Sequence, residues 1–490
     1  MLRTILCSVC AAALLAACDP TAPDAPASAM ADPRPAPVDP DVLALSLSGA
    51  LQFRTVANDT DPAAEAEAFN GFHAYLAERF PRLHTRAERI EVDAHTLVYA
   101  WPGSNRDLDP VVFLAHQDVV PVEDDTLERW EYPPFSGTVS DGYVYGRGAL
   151  DMKGHLIALL SAVEALMGES RNPERGVYIV LGGDEETDGA GARSAAATLG
   201  AQGITPFFVL DEGGFIMSEN PVTGAPAIMI AIAEKHSMTV RVTAQGRGGH
   251  SSTPPQETAV SLLSRAIAGI QDRPFTRSVS GGPTQGMLRA LGPTMDGVGG
   301  FILSHPGVFG PVIKGRLEDE DVGRALLGTT IAPTVIAGGT AENVLPQQAH
   351  ALINLRLHPR DSVEDALAHL RESVADLDGV DITLEGAPFS QTPVAPTGGD
   401  AWTLISEAAR AYGPEGAPVV PFMITGATDA RAFGVLTDRL YRFTAVTLTE
   451  TDFAGIHGDN ERISLENLQS MTDFFYTLID RAAVHPETEG

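Results

Sequence analysis

Val177–Gly189 reads VYIVLGGDEETDG. Its first five residues are apolar or aromatic and mostly β-branched, the pattern of a strand buried in a parallel sheet. Gly182 and Gly183 end that strand, and Asp184, Glu185, Glu186 and Asp188 follow at once. Open α/β sheets place their chemistry in the loops at the carboxyl ends of their strands. Withdrawing this much negative charge from water is unfavourable unless a cation or a proton offsets it. A solvated acidic turn has the same composition, so the decision falls to the other strand ends.

Three of them carry metal-ligand residue types. Val111–Ala115 is continuously apolar and runs into His116-Gln117-Asp118. A carboxylate two residues beyond a histidine can fix the imidazole tautomer and raise its basicity. The hairpin-like stretch SDGYVYGRG leads to Asp151, in a glycine-bounded turn ahead of a helix at His155–Met167. A helix N-cap is the structural alternative for Asp151. Pro206–Leu210 ends in Asp211-Glu212-Gly213-Gly214. His116, Asp151, Glu185/Glu186 and Asp211 therefore stand at four strand ends. His457 joins them from a glycine-flanked loop before a helix at Leu465–Ala482, where backbone can approach a ligand closely.

The chain has 490 residues, enough for two domains, and a net charge of −31. That charge argues against nucleic acid or an anionic membrane surface as a partner. The first residues form a processing segment: a basic start at Met1-Leu2-Arg3, an apolar core at Ile5–Ala17, and Leu15-Ala16-Ala17-Cys18. The apolar run is too short to span a bilayer. Ending in Cys, it resembles a bacterial lipoprotein signal, residues 1–18, with Cys18 lipidated; a plain secretory peptide is the alternative. Either predicts export to the periplasm or cell envelope. Cys7, Cys10 and Cys18 are the chain's cysteines, so the mature chain holds any metal through His, Asp and Glu. Residues 19–40, rich in Pro, Ala and Asp, predict a flexible tether.

Residues 41–234 read as the first part of a strand-and-helix domain, including a helix at Ala63–Phe80 and a strand at Thr96–Trp101. From 235 to 388 the pattern changes. Strands at Ser237–Ala244, Thr330–Ile336, His350–Leu357 and Val380–Leu384, with helices at Glu257–Ile270 and Ser362–Leu377, give the order β-α-β-β-α-β. That is a ferredoxin-like unit, carrying a Gly-rich insertion at Arg273–Gly328. Residues 389–490 return to the first pattern, with a helix at Trp402–Tyr412 and strands at Val419–Met423 and Leu440–Thr447. The predicted fold is α/β, one domain inserted in another.

LAHQDVVPV at Leu114–Val122, GRGALDMKG at Gly146–Gly154, GGDEETDG at Gly182–Gly189, RGGHSSTP at Arg247–Pro254 and GIHGDNERI at Gly455–Ile463 resemble the co-catalytic zinc exopeptidases. That family includes carboxypeptidase S, glutamate carboxypeptidase, aminoacylase and succinyl-diaminopimelate desuccinylase. WEYPPFSGTVSDGYVYGRGALD and TGATDARAF add likeness to the carboxypeptidase S/N-acyl-amino-acid hydrolase branch. The resemblance spans nearly everything after about residue 45. It implies a catalytic domain with an inserted lid and dimerisation domain, and two Zn²⁺ bridged by Asp151. His116 and Asp211 would complete one ion, Glu186 and His457 the other. Asp118 would orient His116, and Glu185 would be the general base. Co²⁺ or Mn²⁺ suits the same ligand chemistry.

The resemblance further implies that His250 stabilises the tetrahedral oxyanion, reaching across from a partner in a homodimer. Asn343 and Arg356 would position the substrate carbonyl and carboxylate. Gly426, Ala427 and Thr428, with Arg431 nearby, would hold the carboxylate through backbone N–H groups. Where the family often has two glycines, this chain has Gly426-Ala427, which bears on the depth of the pocket. The expected activity is zinc-dependent cleavage of an N-acyl amino acid or of the C-terminal residue of a short peptide. The contrasting class is a lipid-anchored, metal-bearing binding protein without turnover, which would have no use for an intact set of ligands and base.

Overall fold

The computed structural model describes residues 33–57, 60–169, 171–386 and 391–485. The expected leader with Cys18, and the tether as far as residue 32, lie outside them. The end of the expected tether is docked rather than free. Arg34 pairs with Glu169 and Asp480, and buried Ala36 donates its N–H to Asp473 Oδ1 at 2.8 Å. Composition registered the prolines there but not the apolar groove that receives Ala36.

Ten strands form the larger sheet. Its order is Glu88–Glu91, Leu97–Trp101, Val177–Gly182, Val111–His116, Phe208–Asp211, Leu440–Arg442, Ala227–Glu234, Phe215–Met217, Thr447–Leu448. Val419–Ile424 pairs with Ala227–Glu234 off this path. Val177–Gly182, Val111–His116, Phe208–Asp211 and Leu440–Arg442 run parallel, so their carboxyl ends share one edge. Side chains alternate between two buried faces, which is why these strands read as unbroken apolar runs. Phe113, Ile179 and Leu181 pack under the helices Lys153–Gly168 and Leu465–Ile479 through Leu156, Leu160, Phe474 and Phe475. Val112, Leu114 and Val180 pack on the other side against Ala195 and Leu199 of helix Ala190–Ala201 and against Phe433. Each such Phe or Leu contributes about 1.5–3 kcal/mol of burial.

The expected strand Leu440–Thr447 is two short ones, because Phe443–Val446 leave the ladder between them. Ala227–Glu234, fully buried along its length, has no counterpart among the sequence-based expectations.

The inserted unit is a four-stranded antiparallel sheet, ordered Thr330–Gly338, Gln348–Leu357, His236–Gln245, Val380–Glu385. Helices Ala259–Gln271 and Val363–Ser373 pack on it through Leu262, Leu263, Ala266 and Leu370, giving this unit its own core. Both helices begin with capping boxes, Thr258 with Ser261 and Ser362 with Asp365. The ferredoxin-like order is therefore present. The Arg273–Gly328 insertion goes elsewhere. Its helices Gly282–Leu291, Gly297–Ser304, Pro306–Leu317 and Asp321–Leu327 bury Met287, Leu288, Leu291 and Ile313 against Ala231, Val420 and Phe422 of the larger sheet. Those two strands present an apolar face that needs cover, and the insertion supplies it.

Candidate metal centre and active site

His116 closes its strand directly opposite Gly182, so imidazole and acidic turn meet at one sheet edge. Gly182 has to be glycine: a Cβ there would lie 2.3 Å from Asp429 Oδ2. Asp118, fully buried, then fixes the turn. Its carboxylate accepts the N–H of Glu185 at 3.2 Å and of Glu186 at 3.0 Å. It also stands 3.4 Å from His116 Nδ1, which hydrogen-bonds the backbone carbonyl of Asp118 at 2.9 Å. With Nδ1 engaged, Nε2 is the ring atom turned to the acids. Nε2 lies 3.0 Å from Asp151 Oδ1 and 3.5 Å from Glu212 Oε1. From the far loop, His457 Nε2 comes within 3.0 Å of Asp151 Oδ2 and 3.1 Å of Glu186 Oε2. Asp151 thus gives one oxygen to each histidine.

The charges respond strongly. Burial pushes the Glu185 carboxyl well above the usual range; Asp429, Glu212 and Glu186 add to this and His116 opposes it. Burial and the Asp151 charge push Glu212 up to about 7. Burial works against ionised Asp151 too, but both imidazoles hold it well below its ordinary value. Asp151 and Glu186 raise His457 to about 10. Glu186 Oε1 is buried without a hydrogen-bond partner among the described residues. Ligand atoms of His116, Glu185 and Glu212, and of His116, Asp151 and Glu186, lie within 4.8 Å of one another. Imidazole and carboxylate donors converging with an oxygen to spare fit one or two divalent ions of the zinc type.

One expected ligand, Asp211, belongs to neither of these groups. Asp211 turns away from His116: Oδ2 accepts the Ala430 N–H at 2.7 Å and Oδ1 the Glu212 N–H at 2.9 Å. Neighbouring side chains at a strand end point to opposite sides, so Glu212 takes the His116 side. The doublet Asp211-Glu212 was visible in sequence, but nothing in it says which carboxylate faces inward. Glu461, also unanticipated, accepts the N–H of Leu150 at 2.8 Å and of Asp151 at 3.0 Å.

The remaining expected residues divide. Thr428 spends its N–H on buried Glu234 Oε2 at 3.0 Å, which removes it from the expected carboxylate cradle. Gly426 and Ala427 have N–H groups with no partner among the described residues. The side chain of half-buried Arg356 has no hydrogen bond or ion pair among the described residues, and burial and the nearby Arg431 charge lower its pKa. His250 and Asn343 sit together on an exposed two-stranded ribbon: His250 pairs with Val344, and Ser251 donates to the Asn343 carbonyl. The hydrogen bonds at His250 Nδ1 come from Ser252, so the ribbon is not joined to the acidic cluster by any described contact. A cavity of 260 Å³ opens beside Asp151 and Glu212, walled by Phe215, Ile424, Leu448, Phe453, Ile456 and Met471.

Residues 112–481 match the model of Peptidase family M20/M25/M40. The chain belongs to that family. It is an enzyme of the metallopeptidase type, and its mixed α/β architecture is the family's. The N-fatty-acyl-amino acid synthase/hydrolase of Mus musculus is 34% identical over 451 residues, covering 90% of this chain and 88% of that protein. Carboxypeptidase S of Saccharomyces cerevisiae is 30% identical over 484 residues, covering 88% and 83%. Among solved structures, the family's metallo-carboxypeptidase Sso-CP2 from Sulfolobus solfataricus superposes with a TM-score of 0.61 at 17% identity. It covers 89% of this chain and 98% of that one. No helix among the described residues is long and apolar enough to cross a membrane.

Proposed function

We propose that this chain is a zinc-dependent hydrolase of N-acyl amino acids with an apolar acyl group, or of short peptides at their C-terminal residue. The observation that carries this is Glu185. It is a half-buried carboxylate whose backbone N–H is held by Asp118. It stands with His116 and Glu212 next to the group of His116, Asp151 and Glu186, and Asp151 and Glu212 line an apolar cavity. His116, Asp151 and Glu212 would hold one ion; Asp151, Glu186 and His457 would hold the other. When bound, such ions polarise a carbonyl and acidify water. Glu185, ionised beside such charge, would take a proton from the attacking water and pass it to the leaving amine.

The chain's own residues supply the rest. Arg356 and the free N–H groups of Gly426 and Ala427 would receive the substrate carboxylate. The cavity of Phe215, Ile424, Phe453 and Ile456 would take the acyl chain or an apolar side chain. His250 would stabilise the oxyanion from a second copy. Two features support a homodimer: the ribbon is exposed, and Thr330–Gly338 is an edge strand with exposed Val335 and Ile336. Export with lipidation at Cys18 completes the proposal. A binding protein without turnover is disfavoured, because the base and both ligand groups are intact.

The test is hydrolysis of a panel of N-acyl amino acids and blocked dipeptides by the chain beginning at Asp19, zinc-loaded and after chelation. Chelator-sensitive, zinc-restored release of free amino acid is expected. Turnover that survives complete removal of metal would refute the assignment.

A further inference from the structure

Asp151 and His457 lie in segments about 300 residues apart, and neither segment is regular. The Asp151 turn follows Gly146 and Gly148, both at positive φ. The other loop holds His457 at φ 57° and Asn460 at φ 60°, with the His457 side chain 52% exposed. Left-handed backbone at a non-glycine residue persists only where its surroundings impose it. Local sequence therefore does not explain how His457 Nε2 comes to lie 3.0 Å from Asp151 Oδ2.

One buried carboxylate ties the two segments together. Glu461, 1% exposed, takes four donors. Its Oε1 accepts the N–H of Leu150 and Asp151, and its Oε2 accepts the Gly148 N–H at 2.9 Å and Arg147 Nη1 at 2.6 Å. Arg147, 3% exposed, completes the loop: Nη2 donates to the carbonyl of Gly458, next to His457, at 2.9 Å. The Gly146 N–H donates to the Glu461 carbonyl, and the guanidinium lies over the Trp130 ring, 5.4 Å from its centre. Charge-assisted hydrogen bonds of this kind are short and directional, and four on one carboxylate fix its plane. The proposed chemistry uses neither residue.

We infer that Glu461, with Arg147, is a positioning device that sets the spacing between Asp151 and His457 and thereby the affinity for the ion on the His457 side. The inference rests on the metal-binding function proposed above. It is asymmetric. Asp151 belongs to both sides, but His116 is fixed independently, by its strand and by Asp118, whereas the His457 loop is itself held by Arg147, so the His116 side depends less on the clamp.

The test is stepwise zinc removal by a graded chelator, with zinc content and thermal stability measured in parallel. The chains, each beginning at Asp19, are the unmodified one, Glu461→Gln, Arg147→Lys and Arg147→Met. The unmodified chain is expected to hold two ions. In Glu461→Gln the ion on the His457 side should bind about 10–100-fold more weakly, the usual cost of losing a group that orients a ligand, while the other weakens by clearly less. Arg147→Lys, which keeps the charge, should lose less than Arg147→Met. Equal affinity for both ions in every variant would overturn the inference. So would parallel weakening of both ions along with stability, which is what a merely structural pair would give. Absence of zinc from the unmodified chain would instead overturn the metal-binding proposal, and the clamp with it.

Discussion

Replacing Glu212 and Asp211 one at a time distinguishes two neighbouring carboxylates that the sequence presents as equals. Glu212 faces His116 Nε2 at 3.5 Å, whereas Asp211 is spent on the N–H groups of Ala430 and Glu212. A structural zinc site is worth about 10–16 kcal/mol spread over four ligands, hence roughly 3 kcal/mol for each. At about 1.4 kcal/mol per factor of ten, Glu212→Gln should weaken one ion on the order of 100-fold. Its side chain is about one-fifth exposed, so the fold should tolerate the change. Asp211→Asn should do the reverse. The amide retains one acceptor but turns its NH₂ toward a backbone N–H in a fully buried position, costing about 1–3 kcal/mol of stability. Both ions should remain. Chelator competition and urea denaturation on the two variants read these effects separately. Loss of an ion in Asp211→Asn at unchanged stability, with both ions retained in Glu212→Gln, would refute the geometry.

Glu185→Gln should keep metal and fold but lose about 10²–10⁴-fold in turnover, measured in a single-turnover experiment; wild-type-like rates would remove Glu185 as the base. Arg356→Gln should raise KM by roughly 10–100-fold for substrates with a free carboxylate and leave their amide analogues unaffected, since one charge-assisted contact is worth about 1.5–3 kcal/mol. Equal effects on both substrate sets would place the carboxylate elsewhere. His358, buried in the inserted unit, has its pKa lowered to about 3 by burial, with Arg360 and Lys235 adding to the effect. The unfolded chain takes up this proton below about 6.5 and the folded chain does not, so the histidine's contribution to stability is lost as pH falls from 6.5 toward 3. The slope is about 1.4 kcal/mol per pH unit. His358→Asn, whose oxygen can replace Nδ1 as acceptor for the Arg360 N–H, should flatten it; urea midpoints at pH 7 and pH 4 that move in parallel for both chains would contradict this.

The central strands were readable because Val111–Ala115 and Val177–Leu181 are buried on both faces and therefore apolar at every position. The inserted unit was readable for the opposite reason, since His236–Gln245 alternates strictly. Ala227–Glu234 escaped because AIMIAIAE suits a buried strand or a buried helix equally, and only its neighbours in the sheet decide. The destination of Arg273–Gly328 was likewise a question of which apolar face lacked cover. At the site, residue types and their place at strand ends were legible, but side-chain direction was not. That separates Glu212 from Asp211, and it is why Thr428, whose N–H turns inward to Glu234, was grouped with Gly426 and Ala427.

Leu440–Arg442 lies in the middle of the larger sheet, between Phe208–Asp211 and Ala227–Glu234. A ribosome delivers that strand after nine-tenths of the chain. Until then both flanking strands have an open edge, and the first two hundred residues cannot complete their layer however long they wait. The inserted unit, contiguous in sequence and with a core of its own, is under no such delay and can fold while the surrounding sheet is still incomplete. His457 is delivered later still, so the acidic cluster acquires its second imidazole only near the end of synthesis. A chain truncated between residues 388 and 440 should be an aggregation-prone, protease-sensitive sheet around one folded island.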